Sequence, residues 1–192
     1  MCPSDGARTG CVLAVMAVML GASHSQEIPG GSRVLAFQAE AAVGYNPRNI
    51  HWRSQAAGQQ AVWLEGDGDS LEFAICLPRA DQVHVTSVRF SSDGWMKEGS
   101  VVVDNEEVGT FFTVDNSYRG VNWNTFNTSS GSFQSTSLAE GRHVISVVMK
   151  HSMDNDPWGI EIDEVVLEFG SPYTLQDLTC PNDERLAALP GR

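Results

Sequence analysis

Apolar and polar residues alternate along most of the chain between residues 33 and 169, as in the runs at 71–76 and 145–149. The runs are short, rich in β-branched residues and separated by Gly, Asn, Asp and Ser, which are strand and turn signals. A helical period of 3.6 residues does not extend over any useful length. The pattern therefore predicts an all-β domain, an antiparallel β-sandwich with its loops at the ends and edges.

Two details of the pattern predict local geometry. The segment 99–112 contains two apolar runs around Asp104 and Asn105, which predicts a hairpin with its turn at these residues. In the last apolar run the buried face changes at Asp163 and Glu164. Because a slip of one residue turns every following side chain to the other face, a bulge or bend is expected there.

The N-terminus has the pattern of a processing signal. Residues 11–22 are apolar and uncharged, but a bilayer-spanning helix needs about 20 such residues. Ser23 and Ser25 provide the small residues of a cleavage site. We therefore expect residues 1–25 to be a signal peptide, residues 26–32 to be an N-terminal extension, and the product to be secreted into the extracellular space. A buried helix is the alternative.

A secreted chain would carry two covalent modifications. Cys76 and Cys180 remain after removal of the signal peptide, and an even pair in an oxidising compartment favours a disulfide over two free thiols. This bond would tie a polar C-terminal tail, residues 170–192, to the domain. Asn127 begins an Asn-Thr-Ser triplet and is a candidate for N-glycosylation. No membrane anchor is expected in the tail.

The net charge and the absence of known catalytic motifs reduce the number of candidate functions. The chain has 24 acidic and 12 basic residues and a formal net charge of −12, which disfavours nucleic acids and anionic membranes as partners. The sequence lacks a phosphate-binding loop, a His-Glu-x-x-His zinc motif and a Gly-x-Ser-x-Gly nucleophile motif. We therefore expect no enzyme. Four histidines have no evident partner and are expected to be structural or on the surface: His51, His84, His143 and His151.

Aromatic residues in polar loops are the strongest functional signal. Trp95, Trp123 and Trp158 lie in turn-rich segments full of Asn, Asp and Ser, whereas Trp63 lies in an alternating run and is expected in the core. An indole ring stacks on the C–H face of a sugar, while neighbouring amides and acids bind its hydroxyl groups. The alternative is that these rings close the open ends of the sandwich.

Five segments, in this order, resemble the carbohydrate-binding modules of families 6 and 35. They are FQAEAAV (37–43), VRFSSDGW (88–95), VVVDNEEVGTF (101–111), LAEGRHVISV (138–147) and GIEIDEVVLEF (159–169). The resemblance covers roughly residues 33–169 and implies a galactose-binding-domain-like jelly roll. It also implies a structural Ca²⁺ ion where the first and last strands meet.

By this resemblance, Gln38, Glu40 and Asp163 would bind the Ca²⁺ ion, with backbone carbonyls of residues 58–60. Gln38 departs from the pattern, since many members have an acid there, and solvated acids at the strand ends are the alternative. The resemblance also implies a glycan cleft in the loops at one end of the sandwich. Its candidate residues are Trp95, Trp123, Asp154, Asn155, Trp158, Tyr45 and Asn46.

The sequence therefore favours a secreted, non-catalytic protein that binds a glycan or glycoprotein and holds a structural Ca²⁺ ion. Nucleic-acid binding and membrane insertion are not expected. The alternative is an interaction module of the extracellular matrix or of a secreted complex, in which the same aromatic residues anchor a protein partner.

Overall fold

The fold was analysed in a computed structural model of the chain. It describes residues 31–44, 49–93, 95–113, 123–129, 133–152 and 158–181, without the side chains of residues 151 and 152. These ranges contain eleven strands, a short 3-10 turn at Ala39–Ala41 and one helical turn, α1 (Leu175–Leu178). Among the described residues, no helix has the length and apolar character needed to cross a membrane.

The strands, in chain order, are β1 (Ser32–Gln38), β2 (Ile50–Trp52), β3 (Gln60–Leu64), β4 (Ser70–Leu77), β5 (Asp81–Ser92), β6 (Lys97–Val103), β7 (Glu106–Phe112), β8 (Asn127–Thr128), β9 (Ser135–Leu138), β10 (Gly141–Ser152) and β11 (Ile160–Tyr173). They form two antiparallel sheets. The large sheet has the order β2-β3-β11-β5-β8, with β1 also paired to β11 and β9 to β5, and the small sheet has the order β4-β10-β6-β7. The predicted antiparallel β-sandwich is confirmed.

The two sheets enclose a single apolar core, which their alternating side chains fill. Aromatic rings link the layers: Phe37 of the large sheet lies 6.0 Å from Phe73 of the small sheet, and Phe90 lies 5.7 Å from Phe111. A Cβ on Gly99 would collide with the ring of Phe111. The glycine therefore lets this ring lie flat against the neighbouring strand.

The predicted irregularities are present where the apolar pattern places them. The pairing of β11 with β5 shifts between Ile162 and Glu164, which confirms the bulge at Asp163. The hairpin of β6 and β7 turns at Asp104 and Asn105, whose φ angles of 49° and 72° fit the tight turn. In both places a polar residue marks the point at which regular alternation stops.

The predicted disulfide holds the segment that ends at Cys180 to the sandwich. Cys76 of β4 and Cys180 form a disulfide, and the buried Leu178 of α1 packs into the core beside them. The last strand continues to Tyr173, which pairs with Ser32.

Trp63 is not in the core, so that prediction is wrong. Val62 and Leu64 take the inward positions of β3, and Trp63 between them is half-buried on the outer face of the large sheet. Its ring lies 5.4 Å from the ring of His51. The alternation in β3 is real, but the side chains that point into the core are those of Val62 and Leu64, and Trp63 points outward.

Candidate functional site

Two of the predicted tryptophans are exposed at the same end of the sandwich. Strand β5 ends at Ser92, which pairs with Ile160 at the start of β11. The segments that carry Trp95 and Trp158 therefore leave the large sheet side by side. Trp95 is 43% exposed and Trp158 is 55% exposed. Indole rings of this exposure are available to a ligand, whereas rings that close the end of a sandwich would be buried.

A buried ion pair holds the loop that carries Trp95. Lys97 is 0% exposed and Asp93 is 3% exposed, and the ammonium group of Lys97 donates to Asp93 Oδ1. The same carboxylate oxygen accepts a hydrogen bond from the backbone N–H of Trp95 at 3.1 Å. Because a buried charge requires a partner, this ion pair fixes the carboxylate that holds the backbone N–H of Trp95.

Thr113, next to the end of β7, completes the support of the Trp95 loop. Its hydroxyl donates to the carbonyl of Trp95 at 2.9 Å and accepts from the backbone N–H of Lys97 at 2.8 Å. Its own N–H donates to the carbonyl of Lys97 at 2.9 Å. Buried polar contacts thus hold both the N–H and the carbonyl of Trp95.

Trp158 is positioned by the glycine that follows it. Gly159 has a φ of 24°, and a Cβ at this position would collide with the carbonyl oxygen of Leu64 at the end of β3. The chain can therefore approach β3 only with a glycine here. Trp158 is placed at the rim of the end of the sandwich that Trp95 occupies.

Trp123, the third predicted tryptophan, is half-buried beside the end of β5. Its carbonyl accepts a hydrogen bond from Ser91 Oγ at 3.0 Å. The next residue, Asn124, accepts from the N–H of Gln55 at 3.1 Å and donates to Ser54 Oγ at 2.8 Å. This segment therefore packs on the loop between β2 and β3, and its indole is less available than the other two.

The remaining glycan candidates, Tyr45, Asn46, Asp154 and Asn155, lie outside the described residues. Asn127, the glycosylation candidate, is half-buried in β8 opposite Phe90.

The large exposed hydrophobic residues also include Trp52 of β2, at 65% exposure. The sequence analysis missed Trp52 because the pattern of alternation does not show that an aromatic residue in a short edge strand is exposed.

The predicted metal ligands of the first strand meet at the loop between β2 and β3. Gln38 ends β1, and Glu40 lies in the 3-10 turn that follows. A Cβ placed on Gly58 would lie 2.7 Å from Gln38 Oε1 and closer still to Glu40 Oε1. Two side-chain oxygens thus surround the position that a larger residue would fill, and they form a small oxygen-lined cradle over Gly58.

Asp163 reaches the same loop from the last strand. It is fully buried, its Oδ1 accepts a hydrogen bond from the N–H of Ala57 at 2.7 Å, and its Oδ2 accepts from the guanidinium of Arg89. Burial raises the pKa of Asp163, while the N–H of Ala57 and the charge of Arg89 act in the opposite direction. Because burial disfavours the ionised carboxylate, a further nearby cation would stabilise it.

A second buried carboxylate, Glu161, lies two residues away on the same outer face and was missed from the sequence. Arg53 donates to both of its oxygens, from Nε at 2.7 Å and from Nη2 at 2.5 Å. His51 Nδ1 lies 2.6 Å from Glu161 Oε1. Glu161 thus holds the base of the loop between β2 and β3, while Asp163 holds its tip.

The histidine expectations need one correction. Both His51 and His143 have carboxylate partners: His143 Nδ1 lies 2.6 Å from Asp104 Oδ2, and its Nε2 lies 2.8 Å from the carbonyl of Ala139. These contacts attach the turn of the β6–β7 hairpin to β10. These partners lie far away in the sequence and could not be identified from spacing.

Comparisons with known proteins identify the fold. No protein-family model matches the chain, and no curated protein matches it. Among solved structures, a family 35 carbohydrate-binding module from Clostridium thermocellum is similar with a TM-score of 0.53 and 18% identity, over 70% of this chain and 96% of the module. The GH26-CBM35 β-(1,4)-mannanase of Podospora anserina is similar with a TM-score of 0.51 and 19% identity, over 76% of this chain.

A cycloisomaltooligosaccharide glucanotransferase from Paenibacillus, complexed with cycloisomaltoheptaose, is similar with a TM-score of 0.50 and 17% identity, over 71% of this chain. The chain spans only 19% of this enzyme and 29% of the mannanase. The predicted resemblance is confirmed at the level of fold: the chain has the galactose-binding-like β-sandwich of family 35 carbohydrate-binding modules.

Proposed function

We propose that the protein is a non-catalytic glycan-binding module. The observation that carries the proposal is the pair of exposed indole rings, Trp95 and Trp158, at one end of the sandwich. Trp95 is supported from beneath by the buried Asp93–Lys97 ion pair. The fold shared with carbohydrate-binding modules supports the same function.

In the proposed mechanism, the two indole rings stack on the C–H faces of sugar rings, and polar groups of the adjacent loops bind the hydroxyl groups. Asp154, Asn155, Tyr45 and Asn46 are the proposed polar and aromatic partners, with Trp123 at the side of the cleft. The ordered loop of Trp95 loses little conformational entropy on binding, which favours affinity. A single module should nevertheless bind weakly, because removing water from sugar hydroxyl groups offsets much of the gain.

A glycan array incubated with the folded chain tests this function. We expect binding to a limited set of glycans, and we expect the signal to fall in the Trp95→Ala variant because the stacking surface is lost. A protein partner that binds through the same rings, with no glycan retained on the array, would instead support the alternative of an extracellular interaction module.

The proposal includes a structural Ca²⁺ ion at the cradle over Gly58. Gln38, Glu40 and Asp163 would hold it together with backbone carbonyls of residues 58–60, which gives the all-oxygen shell that Ca²⁺ prefers. The cradle and the buried Asp163 carboxylate fit a cation. Among the described residues no three His, Cys, Asp or Glu side chains cluster as a metal site, so Gln38 and the carbonyls would be essential. The ion would link the first strand to the last.

Calcium should stabilise the protein through Glu40. At a free Ca²⁺ concentration of 100 times the dissociation constant, we expect about 2.7 kcal/mol of added stability, measured as a shift of the urea unfolding midpoint. The Glu40→Gln variant should lose this shift, while Glu140→Gln, which changes a charge on a distant turn, should retain it. Equal shifts in both variants would place the ion elsewhere, and no shift in the wild-type chain would exclude it.

We further propose that the chain is secreted after removal of residues 1–25, and that Asn127 carries an N-linked glycan. The apolar segment at 11–22 and the Asn-Thr-Ser triplet support these two proposals. The Cys76–Cys180 disulfide also supports an oxidising compartment.

A further inference from the structure

The outer face of the large sheet has a covered half and an open half. In the covered half, Ala61, Ser91, Glu161 and Asp163 are buried, beneath the loop between β2 and β3 and the segment that begins at Trp123. In the open half, strands β1, β11, β5 and β9 form the floor and walls of a groove of about 360 Å³. This volume is typical of small-molecule sites, and the groove is distinct from the loops of the proposed glycan site.

His84, which lines the groove, contains a ring nitrogen that lacks a hydrogen bond. His84 of β5 is opposite Glu168 of β11 on one side and Ser135 of β9 on the other. Its Nδ1 is buried and has no hydrogen-bond partner among the described residues. Because buried polar atoms in folded proteins are nearly always paired, this unpaired nitrogen distinguishes the lining of the groove from the ordinary surface of the sheet.

Two opposite charges line the groove without neutralising each other. The guanidinium of Arg33 and the carboxylate of Glu168 both border it. Within the described part of the chain, neither makes an ion pair or a side-chain hydrogen bond. On the far wall, Ser135 Oγ donates to Gln82 Oε1 at 3.2 Å, and Gln82 in turn donates to Ser137. Hydrogen bonds therefore hold that wall in place, while the two charged groups remain available.

We propose that this groove is a second ligand site, which binds a small zwitterion with its carboxylate at Arg33 and its ammonium group at Glu168. The imidazole of His84 lines the groove between Glu168 and Ser135. The ligand chemistry is that of a free amino acid or a short peptide. Arg33 is suited to a carboxylate because its guanidinium can donate two parallel hydrogen bonds.

The arrangement of charges disfavours other small ligands. A simple anion would be repelled by Glu168 and by the net charge of −12, and a simple cation would leave the guanidinium of Arg33 without a partner. A neutral sugar would find no exposed aromatic ring for stacking, because Phe169, the aromatic residue that lines the groove, is buried in the core. A ligand with one positive and one negative group can pair with Glu168 and with Arg33 at the same time.

NMR titration of the full chain tests the site through the imidazole signals of His84, assigned by comparison with His84→Gln. The probes are alanine and glycylglycine at neutral pH, with acetate and ethylamine as single-charge analogues and methyl glucoside as a neutral sugar. We expect one of the zwitterions to shift the His84 signals and to bind at least fivefold more tightly than either single-charge analogue. The tighter of the two distinguishes a free amino acid from a peptide.

Variants separate the groove from the glycan site. Arg33→Met and Glu168→Gln should each weaken zwitterion binding at least fivefold, while Arg142→Met, an exposed arginine on the other sheet, should leave it unchanged. Trp95→Ala should also leave it unchanged, so failure of the glycan proposal would not affect this result. The proposal would be overturned if no zwitterion shifted His84 at tens of millimolar, if acetate bound equally well, or if methyl glucoside bound in preference.

Discussion

Replacement of Lys97 by methionine is expected to lower the free energy of unfolding by about 3–5 kcal/mol. Both members of the Asp93–Lys97 ion pair are buried, so the substitution leaves the Asp93 carboxylate without its cation in a medium that solvates charge poorly. Urea unfolding at neutral pH measures the effect. Because Asp93 also accepts from the N–H of Trp95, glycan binding should weaken under conditions in which the variant is still folded.

Two control variants make this prediction specific. Lys150→Met removes an exposed ammonium group that pairs with Glu107 and Glu98 on the surface, and it should change stability little. The double variant Asp93→Asn/Lys97→Met should recover much of the loss, since no unpaired charge remains. If Lys97→Met and Lys150→Met cost the same, the ion pair does not support the Trp95 loop.

Removal of the disulfide is expected to cost about 2–5 kcal/mol in the Cys76→Ser/Cys180→Ser variant. The two cysteines are separated by 104 residues, and the loop-entropy model assigns about 4.7 kcal/mol to a closed loop of roughly this length. The bond also holds α1 and the buried Leu178 against β4. Urea unfolding of the variant and of the wild-type chain gives the difference.

A reducing agent provides the control for the disulfide. Dithiothreitol should lower the stability of the wild-type chain to that of the double serine variant, and it should leave the variant itself unchanged. Equal stability of the oxidised wild-type chain and the variant would contradict the prediction. So would an effect of the reductant on the variant, which has no bond left to reduce in its mature form.

Much of the scaffold could be predicted because local alternation determines which face of a strand is buried. The run at 71–76 became β4, the segment 99–112 became a hairpin with its turn at the predicted residues, and the change of face near Asp163 became a bulge. In each case, the information lies within about ten consecutive residues. A signal of that range is sufficient for strands and turns.

The buried ion pairs beneath the candidate site could not be predicted from the sequence, because charged residues are normally expected on the surface. Asp93 is a charged residue in a loop, and Lys97 is a charged residue at the start of β6. The two are nevertheless buried against each other. Arg53 and Glu161 are 108 positions apart in the chain and meet only across the sheet. Trp63 followed the correct alternation but took the outward phase. Which residues far apart in the chain come into contact depends on how the two sheets assemble.

The most direct test of the glycan platform is an equilibrium titration of the strongest glycan on the array against three matched tryptophan variants. Trp95→Ala and Trp158→Ala should each weaken binding at least tenfold, which corresponds to about 1.4 kcal/mol of lost stacking. Trp52→Ala removes an equally large and more exposed indole, which lies opposite Gln60 at the other end of β3 from Leu64 and Gly159, and it should bind like the wild-type chain. Wild-type affinity in both Trp95→Ala and Trp158→Ala, with the fold intact, would contradict the account.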